Sequence, residues 1–236
     1  MNLKNKIALV TGGTDGLGLS ITKCLLKEGC VVHVVSRSGK IHTKFNEKLE
    51  IDNLFVHKAD VTDYKQIKQV ADCVGKIDIL INNAGIWTCG KLADVSENSI
   101  NEIIDINVKG VIFVTKAFLS KMNETELGYI VNISSMAGLK GKDNHSVYIA
   151  SKFAVTGFTE ALSEDLKASN IRVIGFYPGG MNTKMFEKAG KIRDTKGWLD
   201  TDEVADVILF VLKQKNMIID HVVLSKKSTD LLMTNM

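Results

Sequence analysis

Short apolar runs of strand length alternate along this chain with longer segments in which apolar residues recur every three or four positions. Runs such as Ile77–Ile81 are typical of strands that a parallel sheet buries on both faces. The pattern predicts strands at Lys6–Thr11, Val31–Ser36, Asn53–Lys58, Ile77–Asn82, Gly128–Ser134, Arg172–Tyr177 and Met217–Leu224. It predicts helices at Gly16–Glu28, Asp63–Val74, Glu97–Met122, Val147–Ser169 and Thr201–Lys213, and a short one within Asn182–Gly190.

This regular alternation predicts a single α/β domain over residues 1–236. The expected architecture is a doubly wound parallel sheet of about seven strands with helices on both faces. Ligands of such sheets bind at the carboxyl ends of the strands, so we expect the chemistry of the protein there.

The composition argues against several classes of function. The net charge is only +3, from 30 basic and 27 acidic residues without a basic run, so neither nucleic acid nor a membrane is an expected partner. No apolar stretch approaches the roughly 20 residues that span a bilayer, and Met1–Lys6 leads into a strand without room for a signal peptide. The cysteines lack C-x-x-C spacing and the histidines lack metal-ligand spacing. We therefore expect reduced thiols, a cytoplasmic location and no metal site.

The first predicted strand ends in a glycine-rich turn, Thr11–Gly18, directly before an amphipathic helix. Glycines let the backbone approach a pyrophosphate, and a helix N-terminus offers free N–H groups and a positive dipole. The spacing G-x-x-x-G-x-G differs from the common G-x-G-x-x-G pattern, and a purely structural turn is the alternative. Its position after the first strand of a β-α-β unit favours nucleotide binding.

The second strand ends at Ser36 and Arg37, with Lys40 close behind. An NAD site usually has a carboxylate here for the ribose hydroxyls, whereas hydroxyls and cations suit the 2′-phosphate of NADP(H). Solvated loop charges are the alternative, and the nearby carboxylate of Asp15 is a counter-signal. The interpretation favours NADP(H) over NAD(H).

Tyr148 and Lys152 are four residues apart in a predicted helix, which places both side chains on one face. There a lysine ammonium can lower the pKa of a phenol and help it to transfer protons near neutral pH. Ser135 lies 13 residues before the tyrosine, just after an apolar strand. Because a Tyr-x-x-x-Lys pair alone is a common surface coincidence, the other motifs must decide its meaning.

Together these motifs resemble the short-chain dehydrogenase/reductase family, from about Lys6 to Thr183 and less distinctly to Leu224. The resemblance implies a Rossmann-like fold and catalytic roles for Asn107, Ser135, Tyr148 and Lys152. It implies cofactor contacts from Gly12, Thr14, Asp15, Gly16, Leu17, Gly18, Ser36, Arg37, Asp60, Val61, Asn83, Ala84, Gly85, Tyr148, Lys152, Pro178, Gly179, Met181 and Thr183. Ser135 is preferred over Ser134 because its spacing to Tyr148 fits the family.

The resemblance further implies reversible hydride transfer between a nicotinamide ring and a carbonyl or alcohol carbon. Ser135 would bind the substrate oxygen and Tyr148 would donate the proton. Lys152 would lower the pKa of the tyrosine and bind the nicotinamide ribose, while Asn107 would hold a water that links Lys152 to solvent. Trp198 is expected either in the substrate pocket or in the core, and His145 in a loop near the substrate entrance.

Three functions stay open from the sequence. The first is an NADPH-dependent carbonyl reductase acting on a small ketone, aldehyde or sugar-like molecule. The second is a 3-oxoacyl-[acyl-carrier-protein] reductase, although the last strand lacks the Asp-Gly-Gly turn that follows it in many such enzymes. The third is a non-catalytic NADP(H)-binding sensor. As partners we expect a small-molecule substrate and a second copy of the chain, in a homodimer through Glu97–Met122 and Val147–Ser169 or in a homotetramer.

Overall fold

Strands and helices alternate in the computed structural model, which describes residues 1–41, 51–123, 126–191 and 194–226. The strands are β1 (Ile7–Thr11), β2 (Val31–Ser36), β3 (Leu54–Lys58), β4 (Ile79–Asn82), β5 (Gly128–Ile133), β6 (Ile171–Pro178) and β7 (His221–Leu224). The helices are α1 (Gly16–Lys27), α2 (Tyr64–Val74), α3 (Glu97–Ile104), α4 (Gly110–Leu119), α5 (Ser146–Asp165), α6 (Met185–Lys188) and α7 (Thr201–Lys213). Short 3₁₀ turns lie at Ile51–Asn53, Leu92–Asp94 and Met136–Gly138.

Within the described residues, the seven strands form one sheet in the order β3-β2-β1-β4-β5-β6-β7, and every pairing is parallel. The predicted α/β fold is therefore confirmed. The order reverses between β1 and β4, so the connections after these two strands lead to opposite sides and leave a crevice at their carboxyl ends. None of the helices in the described ranges is long and apolar enough to cross a membrane.

Alternate residues of the central strands contribute to two separate cores, because successive side chains of a strand point to opposite faces. Ala8 and Val10 of β1 pack with α1 and α7 on one face. Leu9, between them, packs with α2, α4 and the end of α5 on the other face. This double burial explains why the strands appear as nearly continuous apolar runs in the sequence.

Several helices begin at a residue that accepts hydrogen bonds from their free backbone N–H groups. Asp63 accepts from the N–H groups of Lys65 and Gln66 before α2, and Asp200 accepts from Asp202 before α7. In the same way Asp15 accepts from the N–H of Gly16 before α1. These caps fix where each helix starts relative to the strand before it.

The predicted helix Glu97–Met122 is wrong as one continuous element. It is divided into α3 and α4 by a π turn at Asp105–Lys109, and the last turn ends at Leu119. The apolar spacing of a π turn differs too little from that of an α-helix to be visible in the sequence, and such turns are frequent at functional sites. This one contains Asn107.

The last strand is shorter than the predicted Met217–Leu224. Its pairing with β6 begins at His221, which lies opposite Gly175. Before that point, the carbonyls of Lys215 and Met217 accept hydrogen bonds from the Arg172 guanidinium, both at 2.7 Å. These residues are held by a side chain instead of a strand partner.

Candidate active site

A cleft of about 1350 Å³ runs along the carboxyl ends of the strands, where the sheet order reverses. Its lining includes every residue predicted to contact the cofactor, together with Ser135 of the predicted catalytic set. Asn107 is the exception, because it is buried (1% exposed) outside the lining. The fold therefore gathers the predicted residues into one site.

The glycine-rich turn has a backbone that only glycine fits. Gly12 and Gly16 have φ angles of +66° and +49°, in the left-handed region that other residues rarely adopt. A Cβ atom on Gly18 would lie 2.2 Å from the carbonyl oxygen of Gly12. The turn therefore brings bare backbone and the N-terminus of α1 to the cleft, the combination that binds phosphate groups.

The turn is held against β4 by Thr11 and Asn83. The Thr11 hydroxyl accepts hydrogen bonds from the N–H groups of Asn83 and Ala84, both at 3.0 Å. The Asn83 amide donates to the carbonyl of Thr11 at 2.9 Å. Asn83 was predicted as a cofactor contact, and these bonds show that it also joins the ends of β1 and β4.

At the end of β2, Ser36, Arg37 and Ser38 line the cleft, whereas Lys40 does not. The Ser36 hydroxyl accepts from the N–H of Gly39 at 3.1 Å, which closes a tight turn. Arg37 is exposed at the cleft wall. Of the two cations singled out in the sequence, only Arg37 is thus placed to meet a bound cofactor.

Tyr148 and Lys152 both come from α5 and are both buried, at 9% and 6% exposed. Burial raises the pKa of Tyr148 to about 12, while a hydrogen bond with Ser135 acts in the opposite direction. The predicted lowering of this pKa by Lys152 is therefore not what the structure shows. Taking the phenolate out of water outweighs the hydrogen bond with Ser135.

Burial also lowers the pKa of the Lys152 ammonium, to about 8. Its Nζ atom donates to the carbonyl of Ile133 at 3.0 Å and lies 5.9 Å from the centre of the Tyr148 ring. A lysine with a pKa near neutrality, at the wall of a cleft and beside a buried phenol, is typical of a catalytic site.

Both polar atoms of the Asn107 side chain form hydrogen bonds with other residues. Its Oδ1 atom accepts from the N–H of Ile86 at 2.8 Å, and its Nδ2 atom donates to the Ile86 carbonyl and the Ser151 hydroxyl, both at 3.0 Å. Ser151, fully buried, donates in turn to the carbonyl of Tyr148 at 2.7 Å. We call the predicted catalytic residues Asn107, Tyr148 and Lys152, together with Ser151, the catalytic network. The water predicted between Lys152 and solvent stays a prediction.

A second set of hydroxyls joins the turn that carries Ser135 to α5. The Ser134 hydroxyl donates to the carbonyl of Lys152 at 3.1 Å, and the Thr156 hydroxyl lies 3.1 Å from the carbonyls of both Gly138 and Lys152. Ser135 begins the Met136–Gly138 turn by accepting from the N–H of Ala137. The hydroxyls of Ser134 and Thr156 therefore fix the distance between Ser135 and α5.

Deeper in the structure, a ladder of amides and hydroxyls crosses the sheet below the site. The Asn82 amide donates to Thr115 on α4 and to Asn132 on β5, at 2.9 and 2.8 Å. Asn132 donates to Thr159 on α5 at 2.9 Å. These buried bonds hold the two helices on the strands whose ends form the site.

Three aromatic residues, Trp87, Phe186 and Trp198, form a wall of the cleft that we call the aromatic wall. The ring centres of Trp87 and Phe186 are 4.7 Å apart, and those of Phe186 and Trp198 are 5.2 Å apart, both edge-to-face. The ring centres of His145 and Trp87 are 5.6 Å apart. From the sequence, Trp198 was expected either in the substrate pocket or in the core. Trp87 and Phe186 were not identified there, because no motif marks them.

Helix α6 carries Phe186 and is also linked to the glycine-rich turn. Lys188 forms an ion pair with Asp15 at 2.6 Å, and Thr183 packs against Gly16. Burial would raise the pKa of Asp15, but the hydrogen bonds from Lys188 and Gly16 and the charges of Lys188 and Lys184 lower it overall. The negative charge of Asp15 argued against NADP(H) in the sequence. Lys188 neutralises this charge, because the two charged groups are in contact.

Comparison with known proteins gives one consistent family. Residues 6–194 match the short chain dehydrogenase family. A 3-oxoacyl-[acyl-carrier-protein] reductase of Thermotoga maritima is 34% identical over 230 residues, which cover 92% of this chain and 94% of that protein. The structure of a 3-ketoacyl-(acyl-carrier-protein) reductase from Brucella melitensis complexed with NADH is similar, with a TM-score of 0.83, 27% identity and coverage of 94% and 96%. A short chain dehydrogenase from Burkholderia cenocepacia in complex with NADP has a TM-score of 0.79, 27% identity and coverage of 95% and 98%.

Proposed function

The chain belongs to the short-chain dehydrogenase/reductase family of NAD(P)-dependent oxidoreductases, and we propose that it reduces a carbonyl to an alcohol with NADPH. The observation that carries this proposal is the arrangement of the cleft. The wall that contains Ser135, Tyr148 and Lys152 is continuous with a turn whose bare glycine backbone suits a pyrophosphate. The residues present therefore fit a dinucleotide that ends beside the catalytic network.

A bound nicotinamide would supply the hydride, and the residues of the chain supply position, charge and a proton. The Ser135 hydroxyl binds the carbonyl oxygen, and the Tyr148 hydroxyl donates a proton to it as negative charge develops. Burial keeps Tyr148 protonated at neutral pH, which suits the role of an acid. Lys152, mostly charged below its pKa of about 8, then stabilises the phenolate that is left. Proton transfer of this kind accelerates a reaction on the order of 10² to 10⁴-fold.

The decisive experiment replaces Tyr148 by Phe. We expect turnover of carbonyl substrates to fall on the order of 10³-fold or more, while NADPH binding, measured by the fluorescence of the reduced cofactor, stays within about threefold. Tyr64→Phe is the matched control, since this tyrosine begins α2 and does not line the cleft. Unchanged turnover in Tyr148→Phe would show that another group supplies the proton.

The preference for NADP(H) is tested separately, because the solved relatives contain both NADP and NADH. Arg37 at the cleft wall is the residue that we assign to the 2′-phosphate. Arg37→Ala should raise the KM for NADPH at least tenfold and leave that for NADH nearly unchanged. Lys40→Ala, outside the lining, is the control and should change neither KM. Equal effects of Arg37→Ala on both cofactors would mean that the phosphate is bound elsewhere.

The similarity to the Thermotoga maritima enzyme keeps a 3-oxoacyl thioester reductase as the second candidate. Initial rates of NADPH oxidation with ketones, aldehydes and a 3-oxoacyl thioester separate the two. A kcat/KM for the thioester at least tenfold above that of every simple carbonyl would favour the second candidate. NADPH binding without turnover of any compound would favour the non-catalytic sensor.

We further propose that the protein acts in the cytoplasm as a homo-oligomer. Phe153 on α5 is 46% exposed, and Phe210, Met217, Ile218 and Val223 near the last strand are 50–75% exposed. Large apolar side chains exposed on a single chain are candidates for burial in a protein interface. Sedimentation velocity should show a dimer or tetramer, and Phe153→Glu should reduce its size if α5 forms the interface predicted from the sequence. A monomeric wild-type protein would contradict this assignment.

A further inference from the structure

An apolar cluster lies beside the predicted proton donor at the substrate end of the cleft. Trp87 and Ile103, at 6% and 1% exposed, belong to one apolar cluster with Tyr148. Partly buried apolar residues complete this cluster around the tyrosine: Ile86, Cys89, Ile104, Ala137, Val147, Met185, Phe186 and Ala189. Several members of this cluster also line the cleft: Ile86, Trp87, Ile103, Ala137, Met185, Phe186 and Ala189.

The aromatic wall gives this surface a defined shape. Phe186 contacts Trp87 on one side and Trp198 on the other in edge-to-face geometry. Trp198 is in turn seated on the main chain of Gly180, where an added Cβ would lie 2.8 Å from the indole ring. A further aromatic ring favours edge-to-face or offset contact with rings of this kind.

Besides the predicted catalytic and cofactor residues, polar side chains line the cleft: Ser38, Thr88, Ser99, Glu102, Lys140, Lys142, His145, Lys184, Lys188, Ser225 and Lys226. Lys140 and Lys142 line the cleft but are exposed, and charges in that position attract a ligand only weakly because water and salt screen them. A polyhydroxy substrate placed against the aromatic wall would exchange hydrogen bonds with water for contacts that cannot replace them. The wall thus selects against sugar-like molecules more strongly than the lysines select for anions.

Given the proposed carbonyl reductase activity, on which this inference rests, we propose that the substrate carries an apolar, preferably aromatic, group next to the reacting carbonyl. Phe186 and Trp198 are the specificity-determining residues, with Trp87 as the buried support behind Phe186. The substrate oxygen meets Ser135 and Tyr148 while the apolar group lies against the aromatic wall. This distinguishes the protein from reductases of polyhydroxy ketones and aldehydes.

The test uses the wild-type protein with NADPH and compares matched carbonyl compounds. Benzaldehyde and phenylacetone should show kcat/KM values on the order of 10- to 100-fold above acetaldehyde and acetone. Dihydroxyacetone and glyceraldehyde should be poorer than acetone. A higher kcat/KM for the polyhydroxy compounds would overturn the inference while leaving the reductase activity standing. No turnover of any carbonyl compound would overturn both.

Variants assign the effect to the aromatic wall. Phe186→Ala should lower the ratio of kcat/KM for phenylacetone to kcat/KM for acetone on the order of tenfold. Trp198→Leu is a second variant in case the first disturbs α6, and it should act in the same direction. Phe55→Ala, at an exposed position on β3 outside the cleft, is the matched control and should change nothing. An undiminished phenyl preference in both cleft variants would overturn the assignment.

Discussion

Tyr148 and Lys152 of the catalytic network line the same cleft as the aromatic wall, but the network and the wall are held in place by different forces. Asn107 and Ser151 are buried and are positioned by hydrogen bonds that connect the loop after β4, the π turn and α5. Phe186 and Trp198 are half-buried and are positioned by ring contacts and one exposed ion pair of α6. The arrangement of the catalytic network is therefore set by directional hydrogen bonds. The arrangement of the aromatic wall depends mainly on the shapes of its rings.

The difference follows from what each side must do. Proton transfer requires a donor within hydrogen-bonding distance of the substrate oxygen, so a displacement of about 1 Å can cost on the order of 100-fold in rate. Buried polar groups give that accuracy because each is expensive to leave unpaired. A wall that excludes water needs only apolar groups of suitable volume, which several residue types provide. We therefore expect substitutions in the network to change chemistry and substitutions in the wall to change substrate choice.

Removing the Asn107 amide should give the largest loss of stability. Asn107→Leu leaves the N–H and carbonyl groups of Ile86 and the Ser151 hydroxyl without their partner. Each unsatisfied group costs about 1–3 kcal/mol when buried, so the free energy of unfolding should fall by about 3 kcal/mol. Because Ser151 also bonds to the Tyr148 carbonyl, kcat should fall on the order of 100-fold. Urea unfolding and single-turnover kinetics measure the two quantities.

Asn101→Leu is the control for this variant, since Asn101 is exposed on α3, the helix just before the π turn. It should change stability by less than about 0.5 kcal/mol and leave kcat unchanged. If Asn107→Leu behaved like Asn101→Leu, the catalytic network would not depend on the buried amide, and the contrast with the aromatic wall would be lost.

The same contrast explains which parts of the structure the sequence predicts. The ends of β1, β2, β4 and β6 were predicted within about two residues because double burial leaves a continuous apolar signal. Tyr148, Lys152, Ser135 and the glycine-rich turn were found because their chemistry restricts residue type and spacing together. The π turn at Asp105–Lys109 escaped prediction because it inserts one backbone residue without a compositional signal.

The hydroxyls of Ser151 and Thr156 were missed for a different reason. Serine and threonine inside a helix usually point to water or bond to their own helix, and the sequence does not show which residue faces an amide of another element. The aromatic wall was missed because Trp87 and Phe186 meet only after the chain folds. The direction of the Tyr148 pKa was also predicted wrongly, since burial cannot be judged from spacing.

Replacing Lys152 should reveal the free-energy cost of burying a charge in the catalytic network. Its pKa of about 8 in the folded protein lies below the usual 10.5, so below pH 8 the folded state holds a buried ammonium that the unfolded state keeps in water. The difference corresponds to about 3 kcal/mol, less about 1 kcal/mol for the lost hydrogen bond to Ile133. Lys152→Met should therefore be more stable than the wild type by about 2 kcal/mol at pH 7, and inactive.

The sign of this effect changes with pH in a defined window. Between pH 8 and 10.5 the unfolded wild-type chain retains a proton on Lys152 that the folded protein has lost, so wild-type stability rises with pH. The advantage of Lys152→Met should shrink across that window, and above it the wild type should be the more stable protein by about 1 kcal/mol, because only the hydrogen bond to Ile133 then separates the two. Lys68→Met, at an exposed position on α2, is the matched control for replacing a lysine by methionine. An advantage of Lys152→Met that is the same at pH 7 and pH 10 would contradict the buried-charge explanation.

The ion pair between Lys188 and Asp15 should give the smallest effect. Both side chains are about half exposed or more, at 66% and 48%, and pairs of this kind contribute less than about 1 kcal/mol. Lys188→Ala should therefore leave the melting temperature within about 2 °C of the wild type and leave kcat unchanged, because the catalytic network is intact.

The position of this pair still separates it from other surface pairs. Lys188→Ala leaves the Asp15 carboxylate uncompensated beside the glycine-rich turn, so the KM for NADPH should rise by roughly threefold, more at low salt than at high salt. Lys167→Ala removes an equally exposed pair, with Glu164 at the far end of α5, and should leave that KM unchanged. A loss of kcat in Lys188→Ala would show that α6 also positions the catalytic groups, and the division of the cleft into a rigid network and a wall defined by shape would then fail.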